Sequence, residues 1–133
     1  MKGYINPYIL KLIEQALADE EADYRLYTRM SEECTENADT FRAIALDEKK
    51  HFKMLTEMYT ELKGREPGKV KINEKEFTDC NEAIKAQINE ELEGATMYRT
   101  LYFALPMGMV SERNMIFEIM SDEMMHATAL SGM

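Results

Sequence analysis

The stretch DEKKHF at positions 47–52 decides how this chain folds, because it returns near the C-terminus as DEMMH at positions 122–126. The chain has two histidines, and each has a Glu three residues before it and an Asp four residues before it. Residues three apart lie on the same face of a helix, so each Glu-x-x-His pair presents two ligand side chains together. We therefore interpret the chain as two copies of one metal-ligand unit.

The apolar pattern around these segments predicts four helices and no strand. Asn6-Pro7 begins the first helix, since Asn caps helices well and Pro fits the first turn. Residues 35–37 form a short connection, so the second helix should fold back antiparallel to the first. Thr78-Asp79 should cap the third helix and Ser111 the fourth.

Residues 63–77 predict the one long connection, because they contain two Gly and one Pro and have no sustained period. About 14 extended residues reach ~46 Å, whereas a helix of about 25 residues spans ~37 Å, so this connection can run the length of a bundle. Two helical hairpins joined by a crossover form an antiparallel four-helix bundle. We expect residues 1–133 to be a single all-α domain of this kind.

Each predicted helix has a Glu at a position where its apolar stripe calls for an apolar residue, and both histidines interrupt stripes in the same way. These six residues are Glu20, Glu48, His51, Glu91, Glu123 and His126. Aligning Glu20 with Glu91 also aligns Tyr27 with Tyr98. A single Glu on a helix is usually solvated, and a lone core histidine is usually hydrogen-bonded. Four carboxylates buried together, however, require cations.

Two divalent ions would balance the charge of four carboxylates if the imidazoles are neutral. Carboxylate and imidazole ligands without thiolate suit iron or manganese. Tetrahedral structural zinc fits poorly, because six ligand side chains are too many for one ion and none is Cys. The residues therefore predict a site for two iron ions, with manganese or zinc as possible substitutes.

One Glu from each of two helices and Glu-x-x-His from each of the other two is the ligand pattern of ferritin-like di-iron proteins. Over nearly its whole length the sequence resembles the rubrerythrin branch of that superfamily. The resemblance implies a ferritin-like fold in which Glu48 and Glu123 bridge the two ions. One Glu and one His would complete each coordination sphere, namely Glu20 with His51 and Glu91 with His126.

We also expect residues next to the candidate ligands to form hydrogen bonds with them. By resemblance, Tyr27 and Tyr98 would donate hydrogen bonds to ligand carboxylates. The duplicated position of Asp47 and Asp122 indicates that each could accept a hydrogen bond from the histidine of the other motif and so orient its ring. Gly94 departs from the family pattern, because rubrerythrins have there an additional Glu that is associated with iron movement during peroxide reduction.

The resemblance implies an oxidoreductase that reduces peroxide or dioxygen. Because no rubredoxin domain is present, the electron donor would be external, and a homodimer is expected from the family. Two alternatives remain open at this point. The protein could be a ferroxidase or another iron-handling protein, or a non-catalytic metal-binding helical bundle.

Charge and composition exclude several other classes. The net charge of −9 and the pI near 4.8 disfavour nucleic acid and anionic membranes as partners. No apolar stretch is long enough to span a membrane, and the first residues lack the features of a signal peptide, so we expect a cytoplasmic protein. Cys34 and Cys80 are isolated in sequence, and we expect two free, partly buried thiols in a reducing compartment.

Overall fold

The computed structural model describes residues 5–133, and this part of the chain folds into four helices without a strand. The helices are α1 (Pro7–Glu33), α2 (Ala38–Lys63), α3 (Cys80–Ala104) and α4 (Val110–Ser131). α1 packs mainly against α2 and α3 mainly against α4, so two helical hairpins form the bundle. The predicted all-α, ferritin-like four-helix fold is confirmed. None of the helices between residues 5 and 133 has the length and apolar character needed to cross a membrane.

Side-chain caps begin α1 and α3 where the sequence predicts them. The Oδ1 atom of Asn6 accepts a hydrogen bond of 2.9 Å from the backbone N–H of Tyr8. The carboxylate of Asp79 accepts from the backbone N–H groups of Asn81 and Glu82, at 2.8 and 3.2 Å. Both caps satisfy backbone donors that lack a partner within the helix.

The predicted cap of α4 is wrong by two residues. The helix begins at Val110, with Met109 in the capping position, and Ser111 lies inside the first turn. A tight turn explains this start, because the Met109 N–H donates to the Pro106 carbonyl at 3.0 Å. The Met109 carbonyl then accepts from the Arg113 N–H at 2.9 Å, which is already a helical hydrogen bond.

The buried apolar residues of the described range, 5–133, form two clusters. The first apolar cluster includes Leu17 of α1 and Leu55 of α2, and the second includes Leu26 and Phe41 of the same two helices. Glu20 falls between Leu17 and Leu26 along α1, and the other helices repeat this order. A polar layer therefore lies in mid-bundle, with apolar residues on both sides.

The crossover, residues 64–79, runs along the bundle between its two ends. It starts where Gly64 ends α2 in the left-handed conformation, at φ 83°, with its N–H bonded to the Thr60 carbonyl. Val70 then packs against the first apolar cluster and Phe77 against the second. The prediction that this connection spans the bundle is confirmed.

The expectation of two free thiols is wrong, because Cys34 and Cys80 form a disulfide. Cys34 caps the C-terminal end of α1, and Cys80 is the first residue of α3. The crossover returns the chain to the end of α1, so the two Cα atoms lie 5.9 Å apart, within the usual range for a disulfide. Local sequence patterns could not predict this proximity, because the two cysteines are 46 residues apart in the chain.

Candidate metal centre

The polar layer brings together all six residues that the sequence proposes as metal ligands, and each is buried. They form two groups of four, Glu20, Glu48, His51 and Glu123 in one and Glu48, Glu91, Glu123 and His126 in the other. Within each group, one potential ligand atom from every residue lies within 4.8 Å of the others. Glu48 and Glu123 belong to both groups and therefore lie between two potential ion positions.

Several carboxylate oxygens in this layer lack a hydrogen-bond donor. Within residues 5–133, both oxygens of Glu48 and the Oε1 atom of Glu123 lack a hydrogen bond of normal geometry. They face imidazole Nδ1 atoms, because His126 Nδ1 lies 3.2 Å from Glu48 Oε1 and His51 Nδ1 lies 3.5 Å from Glu123 Oε1. A buried carboxylate without compensation costs several kcal/mol, so these oxygens are suited to cations. Glu48 is fully buried and Glu123 is 3% exposed, which leaves little water to take that role. The cluster is compatible with a di-iron site.

Each histidine is oriented by an aspartate from the other Glu-x-x-His helix. The Nε2 atom of His51 lies 2.8 Å from Asp122 Oδ2, and that of His126 lies 2.8 Å from Asp47 Oδ2. The Nδ1 atoms face the glutamates, and for His51 the distance to Glu20 Oε1 is 3.2 Å. When Nε2–H donates to the aspartate, Nδ1 keeps a lone pair directed at the cluster, as a metal ligand requires.

The two tyrosines donate hydrogen bonds to candidate ligand carboxylates across the hairpins. Tyr27 of α1 donates to Glu91 Oε1 on α3 at 2.9 Å, and Tyr98 of α3 donates to Glu20 on α1. Burial and the nearby Glu91 carboxylate raise the pKa of Tyr27 well above 10. Burial and Glu20 do the same for the pKa of Tyr98. Both hydroxyls therefore stay protonated and can donate.

Crowded carboxylates hold protons when no ion is bound. Burial, followed by the charges of Glu20, Glu123 and Glu91, raises the pKa of Glu48 well above its usual value. Burial, followed by the contact with Glu123, raises the pKa of Glu91 to about 8. Like charges in a low-dielectric layer disfavour ionisation, which is the physical cause in both cases.

The histidines respond to the same carboxylates in the opposite sense. Burial lowers the pKa of His51, but the nearby Glu123 and Glu20 carboxylates outweigh it and raise the pKa to about 10. Burial likewise lowers the pKa of His126, but Glu123 and Glu91 raise it to about 11. In the metal-free protein, protons thus supply the positive charge that bound ions would supply.

A cavity of about 220 Å³ lies between α1 and α3 and reaches the candidate ligands Glu20 and Glu123. Four further carboxylates line it, and they belong to Asp19, Asp23, Glu90 and Glu93. Gly94 lies at its wall, where an added Cβ atom would be 3.9 Å from Glu123 Oε2. The absence of a side chain at this position leaves space beside the candidate centre.

A buried polar group beside the centre was missed in the sequence. Gln87 contacts both Asp23 and Tyr27, and the crossover residue Lys75 forms an ion pair with Asp23. Burial raises the pKa of Asp23 to about 7, although the Lys75 ammonium opposes the rise. The available signal was a Gln inside the apolar stripe of α3, four residues before Glu91.

The residues of this arrangement lie within a range of the chain that matches a known protein family. A family model described as Rubrerythrin matches residues 11–133. No curated protein matches the chain. The matched range includes all six candidate ligands and both tyrosines.

Proposed function

Because the chain belongs to the rubrerythrin family, we propose that it is a di-iron oxidoreductase that reduces peroxide or dioxygen. One observation carries the proposal: Glu48 and Glu123 are each shared by two buried groups of carboxylate and imidazole ligands. Sharing two carboxylates suits a pair of ions better than a single structural ion. Iron is our proposal for the metal, with manganese and zinc as substitutes.

The six residues would divide into two bridging and four terminal ligands. We assign Glu48 and Glu123 as the shared pair. The remaining ligands form one Glu–His pair for each ion, namely Glu20 with His51 and Glu91 with His126. Two ferrous ions held in this way would supply the two electrons needed to reduce one peroxide to water, and an external donor would restore them.

The protein supplies orientation and a dry environment. Asp122 and Asp47 hold the imidazoles with Nδ1 directed at the cluster, which fixes the ligand tautomer. The apolar clusters on both sides of the layer keep bulk water away from the reacting groups. The cavity between α1 and α3 offers a small oxidant a route to Glu20 and Glu123.

Anaerobic stopped-flow measurement tests the proposal. Protein loaded with two ferrous ions per chain is mixed with hydrogen peroxide, and its oxidation is compared with that of free ferrous ion at the same concentration. Glu48→Gln, with the same total iron, is the matched control. We expect fast oxidation in the wild type and a rate near that of free ion in the variant. A wild-type rate no faster than that of free ion would exclude peroxide reduction at this site.

A second candidate function, ferroxidase activity with iron handling, is supported by the acidic cavity. Four carboxylates besides the ligands line this route, and such a lining attracts cations more than it attracts peroxide. Repeated additions of ferrous ion in air distinguish the two functions. Retention of many oxidised ions per chain would favour iron handling, whereas saturation at two would favour the oxidoreductase. Native size measurement would separate a homodimer from a larger iron-holding shell.

A further inference from the structure

The two halves of the candidate centre differ next to their tyrosines. When Glu20 is aligned with Glu91, Gln87 on α3 corresponds to Ala16 on α1. Both positions are buried, at 2% exposure for Gln87 and 0% for Ala16. One half thus has an amide where the other has a methyl group.

The Gln87 amide fixes the direction of the Tyr27 hydroxyl. Its Nε2 atom donates to the Tyr27 oxygen at 3.2 Å and to Asp23 Oδ1 at 3.3 Å. Because the Tyr27 oxygen accepts from the amide, its own proton points to Glu91, 2.9 Å away. Tyr27 is therefore held as a donor to a candidate ligand.

The crossover holds this amide in its orientation. The Lys75 ammonium forms an ion pair with Asp23 and lies 3.5 Å from Gln87 Oε1 and 3.4 Å from Glu90 Oε2. An ammonium can only donate, so the Gln87 oxygen faces Lys75 and the amide nitrogen faces Asp23 and Tyr27. Asp23 is 8% exposed, which keeps solvent from competing for these bonds.

The other tyrosine has a different environment. Tyr98 is part of the first apolar cluster, and its hydroxyl donates to Glu20. The methyl side chain of Ala16 has no polar atom with which to orient that hydroxyl. The bond between Tyr98 and Glu20 therefore forms without the support that Gln87 gives to Tyr27.

We propose that Gln87 is a positioning residue that acts through Tyr27 on Glu91, so that one of the two ion positions depends on it and the other does not. The inference rests on the proposed two-ion centre. Loss of an orienting partner outside the ligand set typically lowers metal affinity by about 10–100-fold. Gln87 acts one residue further out, so we expect roughly the lower limit, about 10-fold.

Manganese binding, measured by electron paramagnetic resonance of free Mn²⁺, tests the inference without an activity assay. Gln87→Met removes the amide at similar volume. We expect it to lower the affinity for one of the two ions about 10-fold, while the affinity for the other changes by no more than about twofold. Combined with Tyr27→Phe, the same substitution should have no further effect. Combined with the matched control Tyr98→Phe, it should add its full effect, because Tyr98→Phe weakens the other ion.

Gln87→Glu is a second variant of nearly unchanged shape, which carries the test if the Met variant does not fold. Its carboxylate accepts the hydrogen bond of the Tyr27 hydroxyl, so Tyr27 no longer donates to Glu91, and the loss of affinity should again be confined to one ion. Equal weakening of both ions, no weakening, or a full Gln87→Met effect in the Tyr27→Phe background would each overturn the inference. A wild type that binds fewer than two Mn²⁺ ions would instead refute the proposed centre itself.

Discussion

Replacing Glu48 by Gln should change the stability of the metal-free and the metal-loaded protein in opposite directions. In the metal-free protein, Glu48 is fully buried beside three other carboxylates, and no hydrogen bond to its oxygens is formed within residues 5–133. Gln keeps the shape of the side chain and removes a charge that the surroundings disfavour. We therefore expect the free energy of unfolding to stay constant or rise, and to rise most at alkaline pH, where Glu48 would otherwise ionise.

In the metal-loaded protein, the substitution should lower the free energy of unfolding by much more than it raises it in the metal-free protein. At ion concentrations of about 100 to 1,000 times Kd, each bound ion stabilises the fold by about 2.7–4.1 kcal/mol, so two ions contribute about 5–8 kcal/mol. Because Glu48 belongs to both ligand groups, its replacement should remove most of this increment. At about 2–8 °C per kcal/mol, the metal-dependent rise in Tm should shrink by about 10 °C or more.

Glu20→Gln is the matched control, because Glu20 belongs to one ligand group only. We expect it to remove about half of the metal-dependent increment. Calorimetric Tm with and without Mn²⁺, together with metal content per chain, measures both effects. If Glu48→Gln lowered the stability of the metal-free protein and left the metal-dependent rise intact, Glu48 would be a structural residue and not a shared ligand.

Four further predictions concern the pH dependence of stability, proton release on ion binding, access to the centre and the disulfide. Metal-free protein should lose stability as the pH rises from about 6.5 to about 10 for His51 and about 11 for His126, by ~1.4 kcal/mol per pH unit for each proton retained on folding. Over this range the folded state keeps both imidazoles protonated, whereas the unfolded state has lost those protons. Ion binding must displace these protons, so the affinity for the ions should fall as the pH falls. Titration calorimetry in buffers of different ionisation enthalpy measures the protons released, and a result of no release would contradict this prediction. Gly94→Leu should fill the cavity and slow peroxide oxidation of the loaded protein roughly tenfold at unchanged metal content. Thr96→Leu, at an exposed position of the same helix, is its control. Equal oxidation rates in the Gly94→Leu variant and the wild type would place the entry route elsewhere. Reduction of the disulfide should lower the free energy of unfolding by about 2–4 kcal/mol, since the bond closes a loop with a sequence separation of 46, and overlapping denaturation curves with and without dithiothreitol would contradict this.

The fold and the meeting of the six candidate ligands could be predicted because both depend on local periodicity and on duplication. Glu20 and Glu91 interrupt apolar stripes near the middle of their helices, and antiparallel packing brings mid-helix residues to one level. The duplicated Asp, four residues before each histidine, indicated how Asp47 and Asp122 would lie. These inferences needed only helical geometry and the matching of two halves.

The remaining features depend on the path of the crossover, which has no period to read. Lys75 lies beside Asp23, 52 residues earlier in the chain, because the crossover returns along α1. The same path brings Cys80 to Cys34. Tertiary position alone decides such contacts, so pattern reading along the chain predicted free thiols and overlooked the polar group around Gln87.

The disulfide makes the crossover unnecessary for keeping the chain in one piece. Residues 34–80 form a covalent ring that contains the whole of α2. A protease cut between residues 64 and 79 would open this ring without releasing a fragment. Each helical hairpin carries three of the six candidate ligands, so the nicked molecule would keep both halves of the centre tethered end to end until the sulfur bridge was reduced.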